Sequence, residues 1–291
     1  MRKCTSRLAV LGAALCIAAG CVGPKQVAPV STFVRLEPDT TIELGSSAAG
    51  ICQDLYALLV LENSGTRILR YDFRLSHQGI LHQVGHSLLA VAELDTLPLT
   101  MRVTAPAGVA ADRFYIYVYD DHALYRMSRD KLDLEPWLGN VRVAGLANFE
   151  PGTMLVSDAD HGAIWYKGLF GESRLFVSAA EIARPGAMVT MEDGNFAVLS
   201  PTSKSLHFFN RSGVVTGSIP LPAACDLLAY NSRGTFCVGL RGEPQVWVLR
   251  RNKLTAYSLP DSVSPLSLAV VYSQLMVLDG GTRLLVFGIG S

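Results

Sequence analysis

Apolar residues nowhere keep a helical spacing for long in this sequence, and that absence excludes a solenoid of stacked helix pairs. Net charge is missing too: 25 Lys and Arg balance 25 Asp and Glu, so nothing draws the chain to a phosphate backbone, and no nucleic-acid partner is expected. Charge of either sign is scarce, at 17% of residues against 49% hydrophobic, which excludes disorder and supplies a large core. The longest apolar run near the start, residues 8–19, falls short of the roughly 20 residues that a membrane-spanning helix needs. Gly-x-Ser-x-Gly is absent, so the strained elbow that presents a serine nucleophile is not encoded.

What is present begins at the N-terminus. Arg2, Lys3 and Arg7 precede the apolar run, with no acidic residue among the first 20, which is the layout of a secretory signal. The run ends in Ile17-Ala-Ala-Gly-Cys21, which resembles the lipobox of bacterial lipoproteins. The resemblance implies removal of residues 1–20 as a signal peptide and lipidation of Cys21 (palmitate among its acyl chains), which gives a stable membrane anchor where one chain would be marginal. Val22 rather than an acidic residue follows, which in that family implies the outer membrane of a bacterial cell envelope. Residues 21–41, with three prolines, read as a lipidated tether. The mature chain would keep 22 basic and 25 acidic residues. Its remaining thiols, Cys52, Cys225 and Cys237, are odd in number; buried free cysteines are expected, with a Cys225–Cys237 pair the alternative.

Past residue 42 a unit of about forty residues recurs six times. Each unit opens on a small-residue segment, as at 48–52, 107–110, 144–147, 186–189, 223–225 and 266–269, as an innermost strand around a crowded axis would require. A polar turn leads to a nearly continuous apolar strand, a second turn follows, and an aromatic-rich strand returns, as in 114–125 and 153–166. The second turns carry Glu62, Asp120, Asp158, Ser200, Arg241 and Asp279, spaced 58, 38, 42, 41 and 38 residues apart. Four short strands per unit predict an all-β, six-bladed β-propeller with four-stranded antiparallel blades over residues 42–291; a two-sheet sandwich is the competing architecture. The run of small strand, turn, apolar strand, polar turn and aromatic strand resembles the six-bladed propellers of the NHL, YncE and TolB type. The last unit stops at its third strand, so residues 33–36 or 41–44 are expected to supply an N-terminal closing strand.

The long first interval marks an insertion near residues 86–100. It carries Leu88, Leu89 and Leu94, which suit either a binding surface or packing over the end of the ring. Tyr115, Tyr117 and Tyr119 share one face of a strand and form a second candidate surface, with packing between blades as the alternative. The three tryptophans, Trp137, Trp165 and Trp247, read as packing between blades. His77, His82 and His86 read as surface residues, and Asp158, Asp160 and His161 as a solvated hairpin turn rather than a calcium loop. The inner segments lack the acids that hold calcium in gluconolactonase-like propellers. Catalytic residues, metal and cofactor are therefore expected to be none. The expected role is a non-enzymatic, lipid-anchored scaffold for a protein partner in the envelope. A binder of a small molecule, glycan or peptide at the channel mouth is the alternative, and a metal-dependent propeller hydrolase or lyase the third.

Overall fold

Strands and turns, with no helix, order the residues that the computed structural model describes: 33–54, 57–75, 89–131, 133–178 and 180–289. The N-terminal strands β1 (Phe33–Arg35) and β2 (Thr40–Glu43) precede six blades. Blade 1 comprises β3 (Ala48–Asp54), β4 (Ala57–Glu62), β5 (Arg67–Leu75) and β6 (Leu89–Pro98). Blade 2 follows as β7 (Gly108–Ala111), β8 (Tyr115–Tyr119), β9 (Ala123–Ser128) and β10 (Leu134–Gly139). Blade 3 is β11 (Val143–Glu150), β12 (Thr153–Asp158), β13 (Ala163–Lys167) and β14 (Ser173–Val177), and blade 4 is β15 (Met188–Thr190), β16 (Phe196–Ser200), β17 (Ser205–Phe209) and β18 (Val215–Pro220). Blade 5 holds β19 (Leu227–Asn231), β20 (Thr235–Gly239), β21 (Gln245–Arg250) and β22 (Lys253–Ser258). Blade 6 has three strands of its own, β23 (Pro265–Val271), β24 (Gln274–Asp279) and β25 (Arg283–Gly288). The chain is an all-β, six-bladed propeller of four-stranded antiparallel blades.

Burial explains the order of strands within a blade. The second strands β4, β12, β16, β20 and β24 are buried along their whole length, as continuous apolar runs must be when both faces are covered. Outer strands such as β18 are largely exposed. The core is divided into six clusters, one at each junction between neighbouring blades. Tyr117, Trp137 and Trp165 meet in the junction of blades 2 and 3, and Trp247 lies in that of blades 4 and 5.

Both N-terminal segments are used, for different ends. β2 pairs antiparallel with β25, from Thr40 opposite Val286 to Glu43 opposite Arg283, and completes blade 6. β1 instead pairs parallel with β22 and gives blade 5 a fifth strand. The tether expected over 21–41 is corrected accordingly, because its last part is built into the ring. Phe33 packs its ring 6.3 Å from that of Trp247, and buried Leu36 donates its N–H to the Ser258 carbonyl at 2.9 Å. In blade 5 the inner strand is also displaced from the expected 223–225. Cys225 N–H turns back onto the Ala223 carbonyl at 2.9 Å, and the strand starts only at Leu227.

The long first interval is largely a ladder rather than a loop. β5 and β6 pair from Arg67 opposite Pro98 to Leu75 opposite Leu89, which makes the outer hairpin of blade 1 the longest in the ring. Leu89 and Leu94 lie on β6; Leu88, His77, His82, His86 and Cys21 lie outside the described residues.

Candidate functional site: the central channel and its two mouths

Six inner strands surround a channel of about 620 Å³. They approach one another closely because of glycine: a Cβ on Gly50 would stand 3.1 Å from the Gly108 Cα, and one on Gly145 would stand 2.7 Å from the Ala187 Cα. The wall at mid-depth of the first five blades is small or apolar, with Cys52, Ala110, Leu146, Val189 and Leu228.

All six inner strands run the same way, because neighbouring strand ends are bonded to each other. Asn148 Nδ2 donates to the Ala111 carbonyl at 2.5 Å, Thr190 donates to the Asn148 carbonyl, and Asn231 donates to the Tyr272 carbonyl just past β23. The ring therefore has two faces. One, the lower face, carries the turns that end each first strand and each third strand. The other, the upper face, carries the turns that end each second strand.

At the lower mouth, Arg129 makes a two-pronged pair with the carboxylate of buried Asp54, at 2.9 and 2.5 Å. The same guanidinium donates to the Asp112 carbonyl at 3.0 and 2.8 Å. Asp112 in turn accepts from Phe114 N, Tyr115 N, the Tyr117 hydroxyl and Gly152 N, all within 2.9 Å. Every lone pair of that carboxylate has a donor, so it is a strut between blades 2 and 3, and the Arg129–Asp54 pair ties blade 2 to blade 1. Cys52 sits just above it. Burial, aided by the Asp54 charge and opposed by Arg129, pushes its thiol well above the ordinary range, and a protonated thiol is a poor nucleophile.

At the upper mouth, Tyr119 of blade 2 and Arg241 of blade 5 both line the opening. Burial raises the Tyr119 phenol, and the Arg241 charge works against that rise. Asp226 accepts the Arg241 N–H at 2.8 Å. Three of the six turn positions are carboxylates committed to nearby donors. Asp120 accepts His122 N, Ala123 N and the Tyr125 hydroxyl, and Asp279 accepts Ser264 N and Arg283. Asp158 accepts Asp160 N and Trp165 Nε1 and pairs with His161 Nδ1 at 2.7 Å. Its carboxylate is turned onto its own hairpin. Blade 5 has Arg241 at this position, and Asp226 supplies the carboxylate from outside the turn.

The tyrosine stripe is a junction rather than a free surface. Tyr117 is fully buried, with its ring 5.2 Å from that of Trp137, and Tyr115 and Tyr119 pack at either end of the same cluster. Arg126 covers Tyr115 at 4.6 Å and Trp137 at 5.0 Å. Sequence reading missed one pairing: His207 Nε2 lies 2.7 Å from Ser205 Oγ and 3.2 Å from Ser203 Oγ. Burial lowers the His207 pKa, and among the described residues no hydrogen bond to its other ring nitrogen orients it. A serine–histidine contact without an orienting third group is not a triad. No group of three or more His, Cys, Asp or Glu among the described residues is arranged to hold a metal.

Four exposed apolar residues gather on the outer strands of blades 3 and 4 and the turns that lead into them. Phe170 is 92% exposed, and Leu175, Val214 and Val215 are 52%, 57% and 41% exposed. The two blades touch here: a Cβ on Gly213 would lie 3.1 Å from the Phe176 carbonyl oxygen.

Solved structures of several kinds share this ring. A virginiamycin B lyase from Staphylococcus aureus is 10% identical, with a TM-score of 0.60 over 86% of this chain and 98% of that one. A streptogramin B lyase is 11% identical, with a TM-score of 0.59 over 87% of each chain. The WD40 propeller domain of Doa1 is 11% identical, with a TM-score of 0.62 over 88% of this chain and 97% of that domain. No protein-family model and no curated protein matches the chain. Enzymes and a WD40 domain resemble it equally well, so the likeness is one of fold.

Proposed function

We propose that the chain is a lipid-anchored propeller of the bacterial envelope, of the NHL, YncE and TolB-like kind, held in the outer membrane through Cys21. It serves there as a non-enzymatic platform for a protein partner. The observation that carries this reading is the apolar rim of blades 3 and 4, where Leu175 and Val215 stand exposed on strands whose outer edge is open and Phe170 and Val214 stand exposed in the turns that lead into them. Exposed apolar patches of this kind mark interaction sites. The chemistry of the channel supports the same reading, since burial pushes the Cys52 thiol up and the Asp112 carboxylate accepts four hydrogen bonds.

The test is capture from detergent-solubilised membranes by the native chain and by a Leu175→Asp, Val215→Asp variant. A defined partner retained by the first and lost by the second, with unchanged melting temperature, is the expected result. Repeated capture of nothing by the native chain would sink the proposal. The channel volume and the Tyr119–Arg241 mouth favour a second reading, a binder of a small molecule, glycan or peptide. A ligand-dependent rise in melting temperature, abolished by Arg241→Ala, separates it from the first.

A further inference from the structure

The fifth strand of blade 5 fixes where the chain enters the ring. β1 runs parallel to β22, with Phe33 opposite Ala256 and Arg35 opposite Ser258. Its N-terminal end therefore points toward the turn at residues 250–253, from which β22 starts. That turn ends a third strand, so it belongs to the lower face. Whatever precedes Phe33 joins the ring at that rim. Phe33 is only twelve residues past Cys21, a reach of at most about 40 Å.

The chemistry of the same rim is basic and aromatic. Arg251 and Lys253 are exposed in the turn itself, and Arg233 and Arg211 are exposed in neighbouring lower-face turns. The Arg233 guanidinium lies 5.5 Å over the ring of Tyr272, which is 47% exposed. Glu192 and Asp193, in the blade 4 turn, are the nearby acids. Cations beside half-exposed rings suit the headgroup layer of an anionic membrane.

We infer that the lower face at blades 5 and 6 rests on the anionic lipid surface that holds Cys21, which turns the Tyr119–Arg241 mouth away from the membrane. The inference rests on the lipid anchor proposed above. It assigns Arg233, Arg251, Lys253 and Tyr272 a lipid-contacting role and leaves the outer strands of blades 3 and 4 to the partner.

The experiment uses the lipidated full chain in vesicles of phosphatidylethanolamine with phosphatidylglycerol. An NBD dye is placed through Asn252→Cys on the lower face or Asp121→Cys on the upper. Emission at position 252 is expected to shift blue and rise about twofold, with position 121 unchanged. The rise should vanish in 1 M salt, where the screening length is about 3 Å. It should also vanish in an Arg233→Glu, Arg251→Glu, Lys253→Glu variant that keeps its melting temperature and stays vesicle-bound through its lipid. Equal responses at both positions, or a response at 121 alone, overturn the orientation while leaving the anchor intact. An intact mass that shows no lipid on Cys21 overturns the anchor, and the orientation falls with it.

Discussion

At the scale of single residues, the carboxylate that ends the second strand of most blades is the most informative position. Glu62 shows how such a group works: burial pushes its pKa up, but hydrogen bonds from Arg67 and Ser46, with the Arg67 charge, overcome this and hold it below the usual range. A depressed folded value stabilises the protein above the unfolded carboxylate pKa of about 4.3, and that contribution is lost as pH falls through the folded value. Glu62→Gln is therefore expected to cost about 1–2 kcal/mol at pH 7 and to flatten the acid limb of a urea-denaturation series. Burial likewise pushes the Cys225 and Cys237 thiols up to about 12. In the native protein they should resist a thiol-titrating reagent at pH 8 and react only after unfolding; rapid native labelling would contradict the packing of both. The regular spacing of the turn acids was legible in the sequence, but their role was not. A carboxylate facing its own turn and one facing solvent read alike until the donors are placed. The strut formed by Arg129 on Asp54 was hidden for a different reason, since the two lie 75 residues apart in separate blades.

At the scale of elements, ring closure by β2 is the feature on which the architecture depends. Its four residues complete blade 6 and tie the first strands of the chain to the last. Ile42→Pro takes a backbone N–H out of that strand and should cost about 3 kcal/mol or more, read as a lower melting temperature and association on a sizing column through newly open edges. Closure by an N-terminal strand was readable because blade 6 visibly lacked a fourth strand. The parallel addition of β1 was not readable, because three residues carry no pattern and parallel pairing leaves no hairpin signal. The inner strand of blade 5 was misplaced for a related reason: small residues at 223–225 satisfy the composition of an inner strand, yet the Ala223–Cys225 turn uses them otherwise. The aromatic stripe of β8 was read correctly as one face of a strand, and its partner surface came from Trp137 and Trp165.

At the scale of the whole molecule, six similar junctions closed into a ring leave no terminal repeat to fray. Unfolding of the described ring is expected to be a single cooperative transition, coincident by far-ultraviolet dichroism and tryptophan fluorescence, since Trp137, Trp165 and Trp247 report on two different junctions. The Ile42→Pro variant should separate the two signals, because a ring opened at blade 6 can lose its ends before its middle. One consequence concerns force. If the chain is held by Cys21 while a partner pulls on the ring, tension enters at Phe33 and runs along β1, parallel to the axis of β22. The bonds between β1 and β22 are then loaded together in shear rather than peeled one by one, and Phe33 against Trp247 resists the same slide. The short fifth strand thus acts as a strain relief, which spares the closing strand β2 until β1 has given way.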